Sequence, residues 1–146
     1  MLRIASGLVV LAFGVGAAFG QATDVIKQRQ ELMKANQEAL KGPEAMRRGQ
    51  APFDLAKVQG ALKTIEENAI KLKPLWPETS KTGGETRALP AIWTSMTDYL
   101  DWFDGLAKDA RAAAASIKDE ATFKAGWPNV IDYCGGCHKD FRAPDR

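Results

Sequence analysis

Residues 119–141, DEATFKAGWPNVIDYCGGCHKDF, decide the fold. A helix is expected to start near Asp119. From there Phe123, Trp127, Val130, Ile131, Cys134, Cys137, His138 and Phe141 recur at three- and four-residue steps, the spacing that lines one face of a helix. A bend is expected at Pro128, whose ring removes one backbone hydrogen bond.

Working outward, the rest of the chain reads the same way. Ala, Lys, Glu, Leu and Gln dominate, and no sustained alternation of β-branched residues marks a strand. A first helix is predicted from about Thr23, read as its N-cap, with Val25, Leu32, Met33, Leu40 and Met46 on one side. Gly42-Pro43 should kink or end it, and residues 49–52 close the segment. A second helix opens with Asp54 as N-cap, carries Leu55, Val58, Leu62, Ile65, Ala69 and Leu72, and stops at Pro74 and Pro77. Residues 73–89, with Gly83-Gly84 at the centre, read as the longest surface loop. A third helix begins at Pro90 and runs through Ile92, Trp93, Met96, Leu100, Phe103 and Leu106 to the alanines 112–115. With short links between neighbours, the economical architecture is an all-α, antiparallel up-down-up-down four-helix bundle.

The bundle is assigned to residues 21–146, because residues 1–20 read as a secretory signal peptide. Met1-Leu2-Arg3 supplies a positive start, residues 4–19 are almost uninterruptedly apolar, and Ala18-Phe19-Gly20 suits cleavage before Gln21. A membrane anchor is the weaker reading, since this apolar run falls short of the ~20 residues that span a bilayer. Arg3 is the single charge lost with the signal, so the mature chain keeps 19 Lys+Arg against 18 Asp+Glu. So even a balance, without a basic run, gives no electrostatic support to nucleic-acid or anionic-membrane binding. The expected product is a periplasmic protein with no membrane span after processing.

Two cysteines in an exported chain ordinarily imply a disulfide, but Cys134-Gly135-Gly136-Cys137-His138 has a different spacing logic. C-x-x-C-H marks attachment of a c-type haem: each thiol adds across one porphyrin vinyl group, and the adjacent imidazole reaches the iron. Cys134 and Cys137 lie three apart and Cys134 and His138 four apart, so on a helix all three project from one side. Gly135 and Gly136 are costly in a helix but leave no side chain to collide with the porphyrin. A thioredoxin-like pair belongs at a helix N-terminus in a βαβ setting, and structural zinc wants four ligands where this chain has two Cys and one His. A disulfide between residues three apart on a helix is strained. One covalent haem c is therefore expected, with a haem-free helical adaptor as the contrasting reading.

On the first helix Arg29, Leu32, Met33, Asn36 and Leu40 share a side, and Arg29 and Asn36 interrupt an otherwise apolar seam. Met33 is either a core residue or a thioether ligand to the iron. Met33 lies about 15 Å into its helix, and His138 a comparable distance from the chain end, so in an up-down-up-down bundle the two stand at one height.

With these residues in hand, the chain resembles the class II c-type cytochromes, the group that includes cytochrome c prime. The most specific likeness is Cys134–His138 followed by Phe141-Arg142 near the C-terminus, since class I cytochromes carry the motif near the N-terminus. Supporting stretches are Arg29-Gln30-Glu31-Leu32-Met33-Lys34, Ala88-Leu89-Pro90-Ala91-Ile92-Trp93 and Gly49-Gln50-Ala51-Pro52-Phe53-Asp54. The resemblance implies His138 as proximal ligand, Arg142 as the basic residue beside it, Arg29 near the haem propionates and Trp93 in the haem surroundings. Met33 falls at the distal position, which divides the family. In low-spin members a Met there binds iron and the protein transfers electrons; in cytochrome c prime the iron is five-coordinate and open to nitric oxide or carbon monoxide. The run Leu32-Met33-Lys34-Ala35-Asn36 looks closer to the low-spin branch. The resemblance thus implies an electron carrier, not an enzyme, that meets redox partner proteins, in a family that often forms homodimers through its first two helices.

Overall fold

The computed structural model describes residues 15–82 and 84–144. In chain order they form α1 (Val15–Arg47), α2 (Leu55–Leu72), a 3-10 turn (Glu78–Lys81), α3 (Ala91–Thr94), α4 (Met96–Ser116) and α5 (Glu120–Phe141). The four long helices make the expected antiparallel bundle. α2 packs most extensively on α4, while α1 lies along α2 and α5 along α4. Residues 1–14 of the expected signal peptide lie outside the described residues. Among those described, no helix is long and apolar enough to cross a membrane.

The apolar stripes become the core. Val58, Leu62, Ile65, Ala69 and Leu72 of α2 meet Phe103, Leu106, Ala110 and Ala113 of α4 and Phe123, Trp127 and Val130 of α5, all buried. The expected cap at Asp54 forms, its Oδ1 accepting the Lys57 amide at 3.1 Å, whereas the expected cap at Thr23 does not, because α1 runs through that position. α5 is capped by Asp119, whose Oδ1 accepts the Thr122 amide at 2.8 Å. Asp119 gains a reciprocal contact as the Thr122 hydroxyl accepts its amide, so α5 starts on a capping box.

Two boundaries differ from expectation, the start of α1 and a break within the third helix. α1 begins at Val15 instead of near Thr23, so the small and apolar residues ahead of Gln21 continue one helix. It also runs through Pro43 to Arg47, although Pro43 cannot bond to the Ala39 carbonyl. Pro43 is fully buried, and the next turn is fixed by Met46 in the core and by Glu44 bound to Trp127 of α5. Termination comes at Gly49, whose φ of 70° places it in the left-handed region that glycine favours. There the Gly49 and Gln50 amides donate to the Met46 and Ala45 carbonyls, a Schellman closure. Likewise α5 continues through Pro128 as one helix.

The expected third helix is two. Ser95, at φ −130° and ψ 46°, leaves helical geometry and separates α3 from α4. On the offset piece, the Trp93 indole N–H donates to the Trp76 carbonyl at 3.0 Å, tying α3 to the preceding loop. That loop also closes on the end of α5: the Leu89 amide donates to the Phe141 carbonyl, and the Ala143 amide to the Arg87 carbonyl.

Candidate haem site

α5 presents Cys134 and His138 half-buried and Cys137 buried, the two thiols free. Burial pushes both thiols up, Cys137 to about 12. His138 is pushed the other way, by burial first and then by the nearby Arg142 and Arg87 charges, which holds the imidazole neutral with a lone pair to offer. Arg142 sits at the C-cap, its amide donating to the His138 carbonyl.

The rotation of α5 is set by a reciprocal fit to α4. A side chain at Gly136 would collide with the Trp102 ring, and one at Gly105 would meet Tyr133 at 2.6 Å. Trp102 and Tyr133 pack edge to face, 5.9 Å between centroids, and the Tyr133 hydroxyl donates to Asp109 Oδ2 at 2.9 Å. On the protein side Trp102 thus requires a glycine at 136, while a side chain at Gly135 would meet no protein atom within 4 Å.

Across from α5 stands α1, and this is the loosely packed side of the bundle: the other three sides are close-packed helix pairs. One bond ties it, Trp127 Nε1 donating to Glu44 Oε1 at 2.9 Å. From Glu44 back to Met33 is eleven residues, and from Trp127 on to His138 is also eleven. The helices run antiparallel, so both counts lead the same way along the bundle, about 16 Å at helical rise. Eleven residues are also close to three full turns, so Met33 keeps the angular position of Glu44 and His138 that of Trp127. Met33, half-buried, and His138 therefore face each other across the open side at one height.

Arg29 lies one turn before Met33 and is only 4 % exposed. Its guanidinium donates to Ser80 Oγ at 3.2 Å and the Ser80 carbonyl at 3.3 Å, and stacks 4.1 Å above the Trp76 ring. All these partners are neutral, and burial lowers its pKa. Asn36, the other polar break in the seam, accepts from Asn68 Nδ2 of α2 at 2.8 Å and so belongs to the α1–α2 packing.

Between Arg29 and Cys137 lies an aromatic cluster invisible in the sequence reading. The buried Tyr99 packs on Trp76 at 4.7 Å, Phe103 at 5.2 Å and Phe141 at 4.9 Å, and burial first, then the nearby Cys137, pushes its hydroxyl pKa up. Trp93 borders the cluster 6.1 Å from Trp76. Tyr99 falls on the α4 stripe with Met96 and Phe103, which was the available cue; Trp76 and Ser80 sit in a loop, and periodicity gives none.

A four-helix bundle with C-x-x-C-H on its last helix, opposite an open interhelical side, defines a c-type cytochrome of the class II kind. The profile of the family described as Cytochrome C' matches residues 24–142, and the chain belongs to that family. It is 48 % identical to the cytochrome c' of Rhodopseudomonas palustris over 144 residues, 97 % of each chain. With the cytochrome c-556 of the same organism it shares 32 % over 149 residues, again 97 % of each. The solved structure of cytochrome c' from Rhodopseudomonas palustris superposes with a TM-score of 0.83 at 47 % identity, covering 85 % of this chain and 99 % of that one.

The cofactor is one covalently attached haem c. Two features suit its anionic edge: Arg29 is a buried cation with neutral partners only, and Trp76 Nε1 is a buried N–H with no hydrogen-bond partner. Among the described residues no cluster of three or more His, Cys, Asp or Glu forms a competing metal centre.

Proposed function

We propose that the chain is a periplasmic single-electron carrier whose haem c is joined to Cys134 and Cys137 and held between His138 and Met33. The observation that carries this reading is the matched height and facing of Met33 and His138 across the loosely packed α1–α5 side. Bound there, the group supplies a one-electron iron couple. The chain supplies the rest. His138 is kept neutral and so able to ligate, the Trp102–Gly136 fit fixes its helix, and Met33 offers a soft sulfur on a flexible stem. Ligands fixed on two packed helices rearrange little between oxidation states, which suits transfer over catalysis. Export is supported by the signal-like residues 1–20 and by the attachment chemistry, which takes place outside the cytoplasmic membrane.

The second reading, a five-coordinate gas-binding protein, is favoured by the higher identity to a cytochrome c' than to a cytochrome c-556. The optical spectrum of the ferrous protein with and without carbon monoxide separates the two. A low-spin spectrum unchanged by carbon monoxide is expected. Met33→Ala should become high-spin, bind carbon monoxide and drop in reduction potential, because a thioether ligand raises it. A wild-type ferrous protein that is already high-spin and takes up carbon monoxide promptly establishes the gas-binding reading instead. Haem staining after denaturing electrophoresis tests the attachment: it should vanish when Cys134 and Cys137 are both replaced by Ser.

A further inference from the structure

Between α4 and α5 stands a pair of oxidisable rings with a base attached. The half-buried Trp102 ring rests on the backbone of Gly136, the residue before Cys137. The half-buried Tyr133, the residue before Cys134, meets it edge to face, 5.9 Å between centroids. The Tyr133 hydroxyl donates to Asp109 Oδ2 at 2.9 Å, within reach for proton transfer. That bond, and burial after it, pushes the Tyr133 pKa up, so the phenol is protonated at rest. Loss of an electron makes a phenol proton strongly acidic, and Asp109 is placed to take it. The chain has two tyrosines, and the other lacks this provision. Tyr99 is buried among aromatic rings and makes no side-chain hydrogen bond among the described residues.

We propose that Trp102 and Tyr133 form a path that carries oxidising equivalents from the haem-attachment segment to the protein surface, with Asp109 as the proton acceptor. It operates when the ferrous protein meets an organic hydroperoxide. The O–O bond takes one electron from ferrous iron and breaks to hydroxide and an alkoxyl radical, leaving ferric iron. The alkoxyl radical takes one electron across Gly136 and Trp102 from Tyr133, and the phenol proton passes to Asp109. Asp109 returns that proton through water to the alkoxide, so the products are an alcohol and a neutral tyrosyl radical on Tyr133. There, half-exposed, a soluble one-electron reductant can reach it. The path spares the porphyrin and the buried aromatic cluster. It rests on haem c being joined at Cys134 and Cys137, and is independent of whether Met33 binds the iron.

The test mixes anaerobic ferrous holoprotein with cumene hydroperoxide and a nitroso spin trap, then locates the adducts by peptide mass mapping. Wild type and Met33→Ala are run side by side, so that access to the iron is controlled. Most protein adduct should lie on Tyr133. Asp109→Asn keeps a hydrogen-bond acceptor and removes the base, so labelling of Tyr133 should fall about tenfold or more. Trp102→Phe should lower it likewise, whereas radicals attacking Tyr133 from solvent would label it undiminished. Adduct mainly on Tyr99, undiminished labelling in Asp109→Asn or Trp102→Phe, or no Tyr133 adduct in Met33→Ala overturns the path. A high-spin wild type overturns Met33 ligation and leaves the path standing, so the two failures are told apart.

Discussion

Gly135 and Gly136 are adjacent in sequence and opposite in consequence. A Cβ at Gly136 meets the Trp102 ring, so Gly136→Ala must push Trp102 aside and turn α5; about 1–3 kcal/mol of stability should be lost. At Gly135 a Cβ meets nothing, and Ala is the better helix former, so Gly135→Ala should gain up to ~1 kcal/mol. Denaturant melts of the two purified holoproteins check this, and equal effects would remove Trp102 as the cause. The helical placement of Cys134, Cys137, His138 and Met33 was legible in the sequence because on a regular helix spacing dictates direction. Trp76, Ser80 and Tyr99 were not legible as a group. They are brought to Arg29 by the pairing of the 87–89 strip with the end of α5, a contact between loop residues that local pattern cannot encode.

At the scale of elements, stripes and the Asp54 cap were legible, since a cap is a local bond and a stripe follows from 3.6 residues per turn, but α1 runs through the cap expected at Thr23. The break at Ser95 was not legible, and at Pro43 tertiary contacts carry the helix on where local propensity allowed an end. Past Pro43, helix α1 is held by Glu44, which accepts from Trp127 and from Arg47 and pairs with Arg48 at 3.6 Å. The Arg47 hydrogen bond, chiefly, holds the Glu44 carboxyl below its ordinary value of 4.5 despite burial pulling the other way. A carboxyl depressed in the folded state contributes stability that is present above its unfolded value and lost as pH falls through the folded one. Glu44→Gln should therefore cost about 1–2 kcal/mol at neutral pH. In thermal melts the difference from wild type should shrink below about pH 4.5. A difference independent of pH would mean that the carboxylate charge and its pairing with Arg47 are not what Glu44 contributes, since Gln retains the acceptor for Trp127.

At the scale of the whole molecule, the bundle has one weak side and one pin. The α2–α4 seam carries the densest apolar packing, while α1 and α5 are joined by the buried Trp127 indole on Glu44 at the end away from Cys134–His138. On the other half of that side α1 offers Arg29 and Met33, which find on the protein only Ser80, the Trp76 face and the edge of the core. In the proposed arrangement the haem fills this half, so its removal should loosen one part of the fold and spare the rest. In the protein with Cys134 and Cys137 replaced by Ser and no haem bound, residues 22–36 of α1 and 84–90 of the loop should exchange amide hydrogens much faster than in holoprotein. Local opening of that kind is what sparse apolar contact predicts. Residues of α2 and those of α4 from Leu106 on should keep their protection, because their apolar seam is buried between the two helices away from the Tyr99 cluster. Trp127→Phe, in the holoprotein, should do the reverse: it releases the Glu44 pin and speeds exchange around residues 40–47 while the haem end stays closed. Uniform loss of protection in either variant would mean that the bundle opens as one cooperative unit, and that its two ends are not held separately.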